Sequence, residues 1–395
     1  MKTFFSSIRA TADRMTFLPW ILALMAGLVL VSTDVGNDLE LRLSNIRASI
    51  LEKPASGEVV IVEIDARSLQ QLDRWPWPRD YYAKALEKLN QAGATQIAFD
   101  IDFSSHSADQ KDQEFADAIE KSEATIILPT FRQLAATGRS EFVESLPIPV
   151  LRKHAFLASV NVSPDNRGQL NRYSYGTTTA ATARPSLASM IAESPGNIDE
   201  IFAIDQSIDP ETIPRLSFID LIRFDDLSPQ LMGKKILIGA TAIELGDRYS
   251  MSRFGVIPGV VIQALASETL IQGTNLPDLG KYLALLAAAI LIFLCIVSRK
   301  ISSRGLLATA LAAFAALNVI ALAAQYLHLF TFSSVPAFCF LSVYILSQKF
   351  LTTSTALKTS QYVHEMSGLR NEAALLRDIA AQGSGYIATA RLADF

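Results

Sequence analysis

Three long stretches of the chain contain no Asp, Glu, Lys or Arg. They are residues 15–33, 282–298 and 305–348, which have 19, 17 and 44 residues. A helix needs about 20 apolar residues to cross the hydrocarbon core of a bilayer. The first two stretches therefore fit one span each, and the third fits two with a turn near Gln325–Ser334. We predict four transmembrane helices, which excludes a purely cytosolic enzyme.

The first apolar stretch could also be a cleaved secretory signal, because Lys2, Arg9 and Arg14 precede it. The apolar run of such a signal usually has about 7–15 residues and ends at an Ala-x-Ala site. Here the run is longer, and residues 31–34 read Val-Ser-Thr-Asp. These differences favour an uncleaved membrane anchor.

Basic residues in short flanks predict the orientation of the spans. They precede the first span, and the loop at residues 299–304 contains Arg299, Lys300 and Arg304. Both flanks lie inside if the long segment between the first two spans lies outside. We therefore expect a multi-pass protein of a bacterial inner membrane, with both termini cytoplasmic and a periplasmic domain.

Residues 34–281 form this outer segment of 248 residues, with 34 acidic and 24 basic side chains. An acidic excess disfavours nucleic acid as a partner. Both cysteines, Cys295 and Cys339, lie in predicted spans, and the segment has two histidines, His106 and His154. We therefore expect no disulfide, no metal site and no cofactor.

The outer segment alternates strand and helix patterns. Strands are predicted at 59–64, 96–103 and 125–131, and helices at 80–92 and 109–122. Such alternation predicts a mostly parallel sheet with flanking helices, an α/β domain. Further on, 156–162 and 170–178 are predicted as a hairpin around the Asp165–Gly168 turn. The remaining predictions are helices at 185–193, 217–223 and 258–271 and a strand at 235–239.

Several motifs of the outer segment match a known pattern. They are Asp65, Trp75-Pro76-Trp77-Pro78-Arg79, Gly93-Ala94, Ala98–Phe103, Lys234–Thr241 and Phe254–Val260. With one span before and three after, the chain resembles the CHASE sensory domain of the second type over roughly residues 17–350. The resemblance implies a bacterial extracytoplasmic sensor attached to a signalling output.

Similar proteins often carry an Asp and a His after the Gly-Ala-Thr strand. Asp247 is present here without the histidine, so we expect no ligand role for that loop.

Ligands of open α/β sheets bind beyond the carboxyl ends of the strands. The candidate ligand-binding residues are Asp65, Trp75, Trp77, Arg79, Asp100, Asp102 and Thr241. Structural roles are the alternative. The acids could cap helices or pair with Arg74 and Arg79, and the tryptophans could cover the sheet. We assign no catalytic residue.

The C-terminal residues resemble the start of a GGDEF domain. Ser367–Leu376 is similar to its opening, and Ile387–Phe395 to its first strand. In this alignment Arg391 and Ala393 replace two acidic positions, the first of which helps to hold the catalytic metal. The resemblance implies a degenerate GGDEF domain, possibly followed by an EAL phosphodiesterase in a longer protein.

These patterns predict eight segments along the chain. They are a cytoplasmic N-terminus (1–14), a span (15–33), the sensor domain (34–281), spans at 282–298, 305–325 and 329–349, a linker helix (350–366) and a truncated GGDEF-like start (367–395).

We expect a non-enzymatic sensor chain for cyclic di-GMP signalling, with an extracytoplasmic ligand or protein partner and a homodimer formed through the spans. Whether a longer natural protein is a cyclase or phosphodiesterase stays open. The alternatives are an extracytoplasmic metal-dependent hydrolase that uses Asp65, Asp100 and Asp102, and a structural membrane assembly protein.

Overall fold

The computed structural model describes residues 2–33, 35–134, 142–179, 181–224, 227–298, 303–362 and 376. It divides into two compact units. One unit holds residues 1–38, 279–321 and 332–395, and the other holds 39–278 and 322–331. The second unit contains most of the predicted outer segment 34–281, together with residues 322–331, which overlap two predicted spans. The GGDEF-like residues 367–395 lie outside the described residues, apart from Leu376.

The helices are α1 Lys2–Ser32, α2 Asn37–Ile50, α3 Ala66–Gln71, α4 Arg79–Gln91, α5 Asp109–Glu120, α6 Pro149–Arg152, α7 Leu187–Ala192, α8 Phe218–Arg223, α9 Ser228–Leu231, α10 Gly259–Ile271, α11 Tyr282–Ser298, α12 Ser303–Tyr326 and α13 Val335–Tyr362. The strands are β1 Val59–Ile64, β2 Gln96–Asp100, β3 Thr125–Leu134, β4 Phe142–Ser145, β5 Phe156–Ser159, β6 Arg172–Ser174, β7 Gly176–Thr179, β8 Thr182–Pro185, β9 Ile201–Ala203, β10 Arg215–Ser217, β11 Lys235–Ala240, β12 Arg248–Met251 and β13 Gly255–Pro258. Two short 3-10 helices cover Pro210–Thr212 and Ile243–Leu245.

The main sheet of the second unit has the order β10-β1-β11-β2-β3-β4, with β5 also paired to β3. Its strands run parallel except β4, which is antiparallel to β3. The prediction of a mostly parallel sheet with flanking helices is therefore confirmed. β11 comes late in the chain, yet it lies between β1 and β2.

Both faces of the sheet are covered, as a parallel sheet requires. Alternate residues of β1 show this, because successive side chains of a strand point to opposite faces. Val60, Val62 and Ile64 belong to a first core, which also contains buried residues of α4, α5 and α8. Val59 and Ile61 belong to a second core, which contains residues of α7 and α10. The continuous apolar run of β1 follows from this two-sided burial.

The predicted hairpin between residues 156–162 and 170–178 is wrong. The turn itself forms, since the Gly168 N–H donates to the Asp165 carbonyl at 2.8 Å. However, β5 pairs in parallel with β3, and β6 pairs antiparallel with β9. The strand predicted to reach residue 103 also ends earlier, at Asp100. Helices α2 and α3 and the edge strand β10 were not predicted.

The other unit contains the apolar helices. Two of them, Gly305–Tyr326 and Val335–Ser354, are long and apolar enough to cross a membrane. Tyr282–Val297 is a shorter apolar helix. Two further helices, Phe17–Ser32 and Asn37–Ile50, are bent relative to each other, and they are long and apolar enough to cross a membrane only if they are taken together. Two of the four predicted spans are thus clear in the described residues, and the other two stay predictions.

The first core contains a fully buried tryptophan, Trp77, with 1% of its surface exposed. Truncating a buried Trp or Phe to Ala typically costs about 3–5 kcal/mol. We expect residues 39–278, produced as a soluble fragment, to unfold cooperatively in urea. Trp77→Ala should lower the free energy of unfolding of this fragment by that amount.

Phe156→Ala is the matched control, because 61% of the Phe156 surface is exposed. It should change the free energy of unfolding by less than about 1 kcal/mol. Equal effects of the two substitutions would contradict the burial of Trp77.

Candidate functional site

Three central strands of the sheet end side by side. In the register of β1, β11 and β2, Glu63 is opposite Gly239 and Gly239 is opposite Asp100. The carboxyl ends of parallel strands are where open α/β sheets bind their ligands. Asp65 and Thr241 directly follow two of these strands.

Asp100 is the last residue of β2 and is partly buried. Burial raises the pKa of its carboxyl to about 8, and the nearby carboxylate of Asp247 contributes to the increase. A buried carboxyl loses the hydration that would stabilise its charge, so the neutral form is favoured. Asp100 therefore keeps its proton at neutral pH.

Asp247 precedes β12 and lies against the first residue of α10. Its backbone carbonyl accepts a hydrogen bond from the Gly259 N–H at 2.9 Å. Its carboxylate occupies the space that a Cβ on residue 259 would need, so glycine is required there. Burial raises the pKa of Asp247, and a hydrogen bond with Tyr249 opposes that shift.

Two further side chains complete this group. Tyr173, on β6, is buried, and its phenol hydroxyl donates a hydrogen bond to the side-chain amide oxygen of Gln263. The Gln263 amide in turn donates to the Val160 carbonyl at 3.1 Å. Burial raises the pKa of Tyr173, and the charge of Asp100 raises it further. We call these five residues the Asp100 cluster: Asp100, Tyr173, Asp247, Tyr249 and Gln263.

Three of the residues predicted from the sequence make local contacts at the strand ends. Asp65 caps α3, accepting hydrogen bonds from the Ser68 N–H at 2.8 Å and the Ser68 hydroxyl at 2.6 Å. The exposed Asp102 accepts a hydrogen bond from the Ser104 N–H at 2.8 Å. The Thr241 N–H donates to the carbonyl of Ile64, the last residue of β1, at 3.1 Å.

The Trp-Pro-Trp-Pro-Arg segment packs into the first core at the start of α4. The Trp77 indole N–H donates to the Asp73 carbonyl at 3.0 Å, and its ring lies 4.9 Å from that of Phe218. Trp75 is partly buried and meets Trp77 edge-on at 5.1 Å. These contacts hold the two indoles against each other and against the core.

Arg79 is buried in the same region. Its guanidinium lies 4.7 Å from the centre of the Phe103 ring, and Nη2 donates to the Ser105 carbonyl at 3.1 Å. Burial lowers the pKa of Arg79, while the negative charge of Asp112 opposes the shift. Trp77 and Phe103 belong to the first core, whereas Tyr173 and Tyr249 belong to or pack against the second. The seven predicted residues are therefore divided between the two sides of the sheet.

Four members of the Asp100 cluster were missed from the sequence. Asp247 was noted, but the loop was assigned no ligand role because no histidine follows it. Gln263 could have been identified from the sequence, because it is a polar residue in the otherwise apolar first half of α10. Tyr173 had no such signal, because β6 pairs with β9 far along the chain, and Tyr249 was overlooked together with the Asp247 loop that precedes it.

Within the described residues, no group of three or more His, Cys, Asp or Glu side chains is arranged to hold a metal ion. The carboxyls of Asp65, Asp100 and Asp102 are not brought together in such a group. The geometry instead combines carboxyls, phenols and an amide, which can donate and accept hydrogen bonds.

The sequence model of the CHASE2 domain matches residues 20–298, which is more than half of the chain. The chain belongs to the CHASE2 family. No curated protein and no solved structure matched the chain. A CHASE2 domain is an extracytoplasmic sensor domain, and the candidate membrane helices fit a membrane protein. The CHASE2 match covers all five residues of the Asp100 cluster.

The raised pKa of Asp100 predicts a specific pH dependence of stability. Between pH about 4 and about 8 the folded domain holds a proton that the unfolded chain releases. The free energy of unfolding therefore falls as pH rises through this window, by up to about 1.4 kcal/mol per pH unit. Asp100→Asn keeps a neutral polar side chain and should remove much of this slope.

We expect the parent and Asp100→Asn domains to be similarly stable at pH 4. The variant should be more stable at pH 8, by on the order of 2–4 kcal/mol in urea unfolding. Some slope will remain, because the pKa of Asp247 is also raised. Asp102→Asn, at an exposed carboxyl two residues further on, should keep the parental slope. A parental slope in Asp100→Asn would refute a buried, protonated Asp100.

Proposed function

We propose that this CHASE2 protein is a membrane-bound sensor that binds an extracytoplasmic ligand at the Asp100 cluster and controls a cyclic di-GMP output. The observation that carries this proposal is the position of Asp100 at the carboxyl end of β2, opposite Gly239, where burial raises its pKa and Asp247 is near enough for the charge of that carboxyl to raise it further. Perturbed carboxyl pKa values are typical of functional sites. Here they occur in the region where the fold places ligands.

The chemistry of the cluster favours a polar ligand that is neutral or cationic. Its five members provide two carboxyls, two phenols and an amide, and none of the five is a cation. A protonated Asp100 can donate one hydrogen bond and accept others. A cationic ligand would lower the pKa of the carboxyls, whereas an anion would be repelled by Asp247.

The chain connects the cluster to the membrane helices in a direct way. The first residue of α10 touches Asp247, and α10 is followed along the chain by α11. The segment after α10 also holds the loop that precedes α13. The Thr331 N–H donates to the Pro277 carbonyl at 2.9 Å, and Asp278 pairs with Arg172 at 3.4 Å. A displacement of α10 would therefore shift the segment that joins α10 to α11 and the loop that precedes α13.

We further propose that the chain acts as a homodimer through its membrane helices and carries no enzymatic activity of its own. Large apolar side chains are exposed on α11 and α12, such as Ile290 at 58% and Leu311 at 58%. In a membrane such faces contact lipid or a second helix. At the C-terminus, Arg391 and Ala393 offer no carboxylate for the metal that phosphoryl-type transfer requires.

The functional test uses cells that make the protein naturally. Asp247→Asn should change the cellular cyclic di-GMP level at least twofold, because it removes a charge from the cluster. Glu87→Gln, at an exposed carboxylate on α4, is the control and should leave the level unchanged. An unaltered level in Asp247→Asn cells that contain normal amounts of the protein would contradict the proposal.

Two competing functions are separable from this one. A metal-dependent hydrolase would bind a divalent ion through Asp65, Asp100 and Asp102, and the Ser68 contacts of Asp65 make this arrangement less favourable. Metal addition should then raise the melting temperature of the soluble domain. A purely structural assembly protein would show no melting shift with any member of a small-molecule screen.

The topology of the sensor follows from the distribution of charge and can be tested separately. Alkaline phosphatase is active only after export, so a fusion at Gly196 in the outer domain should be active. A fusion after Tyr362 should be inactive, because that residue ends α13 and follows the last predicted span. Activity in the second fusion, or its absence in the first, would overturn the proposed orientation.

A further inference from the structure

The β12–β13 hairpin has the Asp100 cluster at one end and helix α2 at the other. Its two strands pair from Arg248 opposite Pro258 to Met251 opposite Gly255. Asp247 directly precedes the hairpin, and Tyr249 lies in its first strand. The turn between the strands contains Ser252 and Arg253.

The open end of the hairpin is fixed to the cluster. The Gly259 N–H donates to the Asp247 carbonyl at 2.9 Å, and burial together with the nearby carboxyl of Asp247 raises the pKa of the Tyr249 phenol. Any ligand or protonation event that moves Asp247 must therefore move the start of β12.

The turn of the hairpin is fixed to α2. The Asn45 amide donates to the Ser252 carbonyl at 3.0 Å, and the Ser252 hydroxyl lies 3.2 Å from the Asn45 amide oxygen. The Ser252 hydroxyl has a single hydrogen and also lies 3.0 Å from the Gln206 side-chain oxygen, so the hydrogen bond donated by the Asn45 amide is the one that joins α2 to the turn. Along the chain, α2 directly follows α1.

The strand between these ends is too short and too well held to absorb a displacement. Four residues of β12 span about 13 Å in an extended conformation. Met251 is buried in the second core, and the Ser250 carbonyl accepts a hydrogen bond from the Leu170 N–H at 2.7 Å. These contacts and its length of four residues make β12 a short, firmly held connection between Tyr249 and Ser252.

The turn also has partners that can be exchanged. The Ser252 N–H donates to the Asn171 side-chain oxygen at 3.0 Å, and the Arg253 N–H donates to the Gln206 side-chain oxygen at 3.1 Å. Side-chain amides can follow a moving backbone or release it.

Helix α2 is well suited to respond to a change in its hydrogen bonding with the Ser252 turn. Leu39, Ile46 and Ile50 are 41%, 57% and 63% exposed, so a large part of its apolar surface lies outside the core. A helix with little buried apolar surface opens at low free-energy cost. Its hydrogen bond to the Ser252 turn then makes a larger relative contribution to holding it.

We propose that the β12–β13 hairpin transmits changes at the Asp100 cluster to α2 through the Asn45–Ser252 pair, and so towards the first membrane helix. This inference rests on the proposed function, because it describes how a change at the same site reaches α2.

Hydrogen exchange of the full chain in detergent micelles, measured by mass spectrometry, tests this link. The perturbation is Asp247→Ala. Peptides from residues 39–50 should exchange at least threefold faster in this variant than in the parent. In the Asn45→Ala background, where the link is already broken, Asp247→Ala should change the exchange of these peptides less than 1.5-fold.

Asn90→Ala is the matched control. Asn90 also accepts two hydrogen bonds, from the Ser122 hydroxyl at 2.9 Å and the Ala124 N–H at 3.3 Å, but it lies on α4. It should speed exchange around residues 90–124 and leave α2 unchanged. If Asp247→Ala does not fold, Tyr249→Phe removes the phenol hydroxyl near Asp247 and keeps the ring, and the same threefold change is expected.

Unchanged α2 exchange in a folded Asp247→Ala or Tyr249→Phe protein would overturn the inference. An equal α2 response to Asn90→Ala would do the same, since it would reflect general loosening. If cyclic di-GMP still responds to Asp247→Asn while α2 exchange is unchanged, the sensor function stands and the hairpin route is wrong.

Discussion

The close contact between α10 and β11 determines the geometry of the sensor domain. The Val260 side chain lies 2.6 Å from the position that a Cβ on residue 239 would occupy. Only glycine allows this approach, so Gly239 lets α10 lie directly on the central strand. Gly239 is opposite Asp100 in the sheet. The same contact therefore covers the sheet and brings the start of α10 to the Asp100 cluster.

The parts of the fold that follow from local pattern were predicted well. Central strands such as β1 and β11 are buried on both faces and read as short apolar runs. The failed hairpin shows the limit of such patterns. The Asp165–Gly168 turn was identified correctly, but turn residues fix only the turn. The strands that pair with β5 and β6 are β3 and β9, which lie far from them along the chain, so the packing of the whole domain determines these pairs.

The candidate site shows the same limit at the level of side chains. Asp100 could be found because it ends an apolar strand, and strand ends form the ligand-binding edge of such sheets. Trp77 and Arg79 are buried, and a ligand role for either of them stays a prediction. Tyr173 and Asp247 reach Asp100 through β6 and the β12–β13 hairpin. Sequence order alone does not reveal that those elements converge.

The position of β11 has a consequence for biogenesis. The chain is synthesised from its N-terminus, so β1 and β2 are made well before β11, which pairs with both of them. Until residues 235–240 are exported, the two strands have no central neighbour and their facing edges are unpaired. Such edges promote aggregation, and distant pairings form slowly. Folding of the domain must therefore await export of nearly the whole segment, and chaperone protection is needed most during that interval.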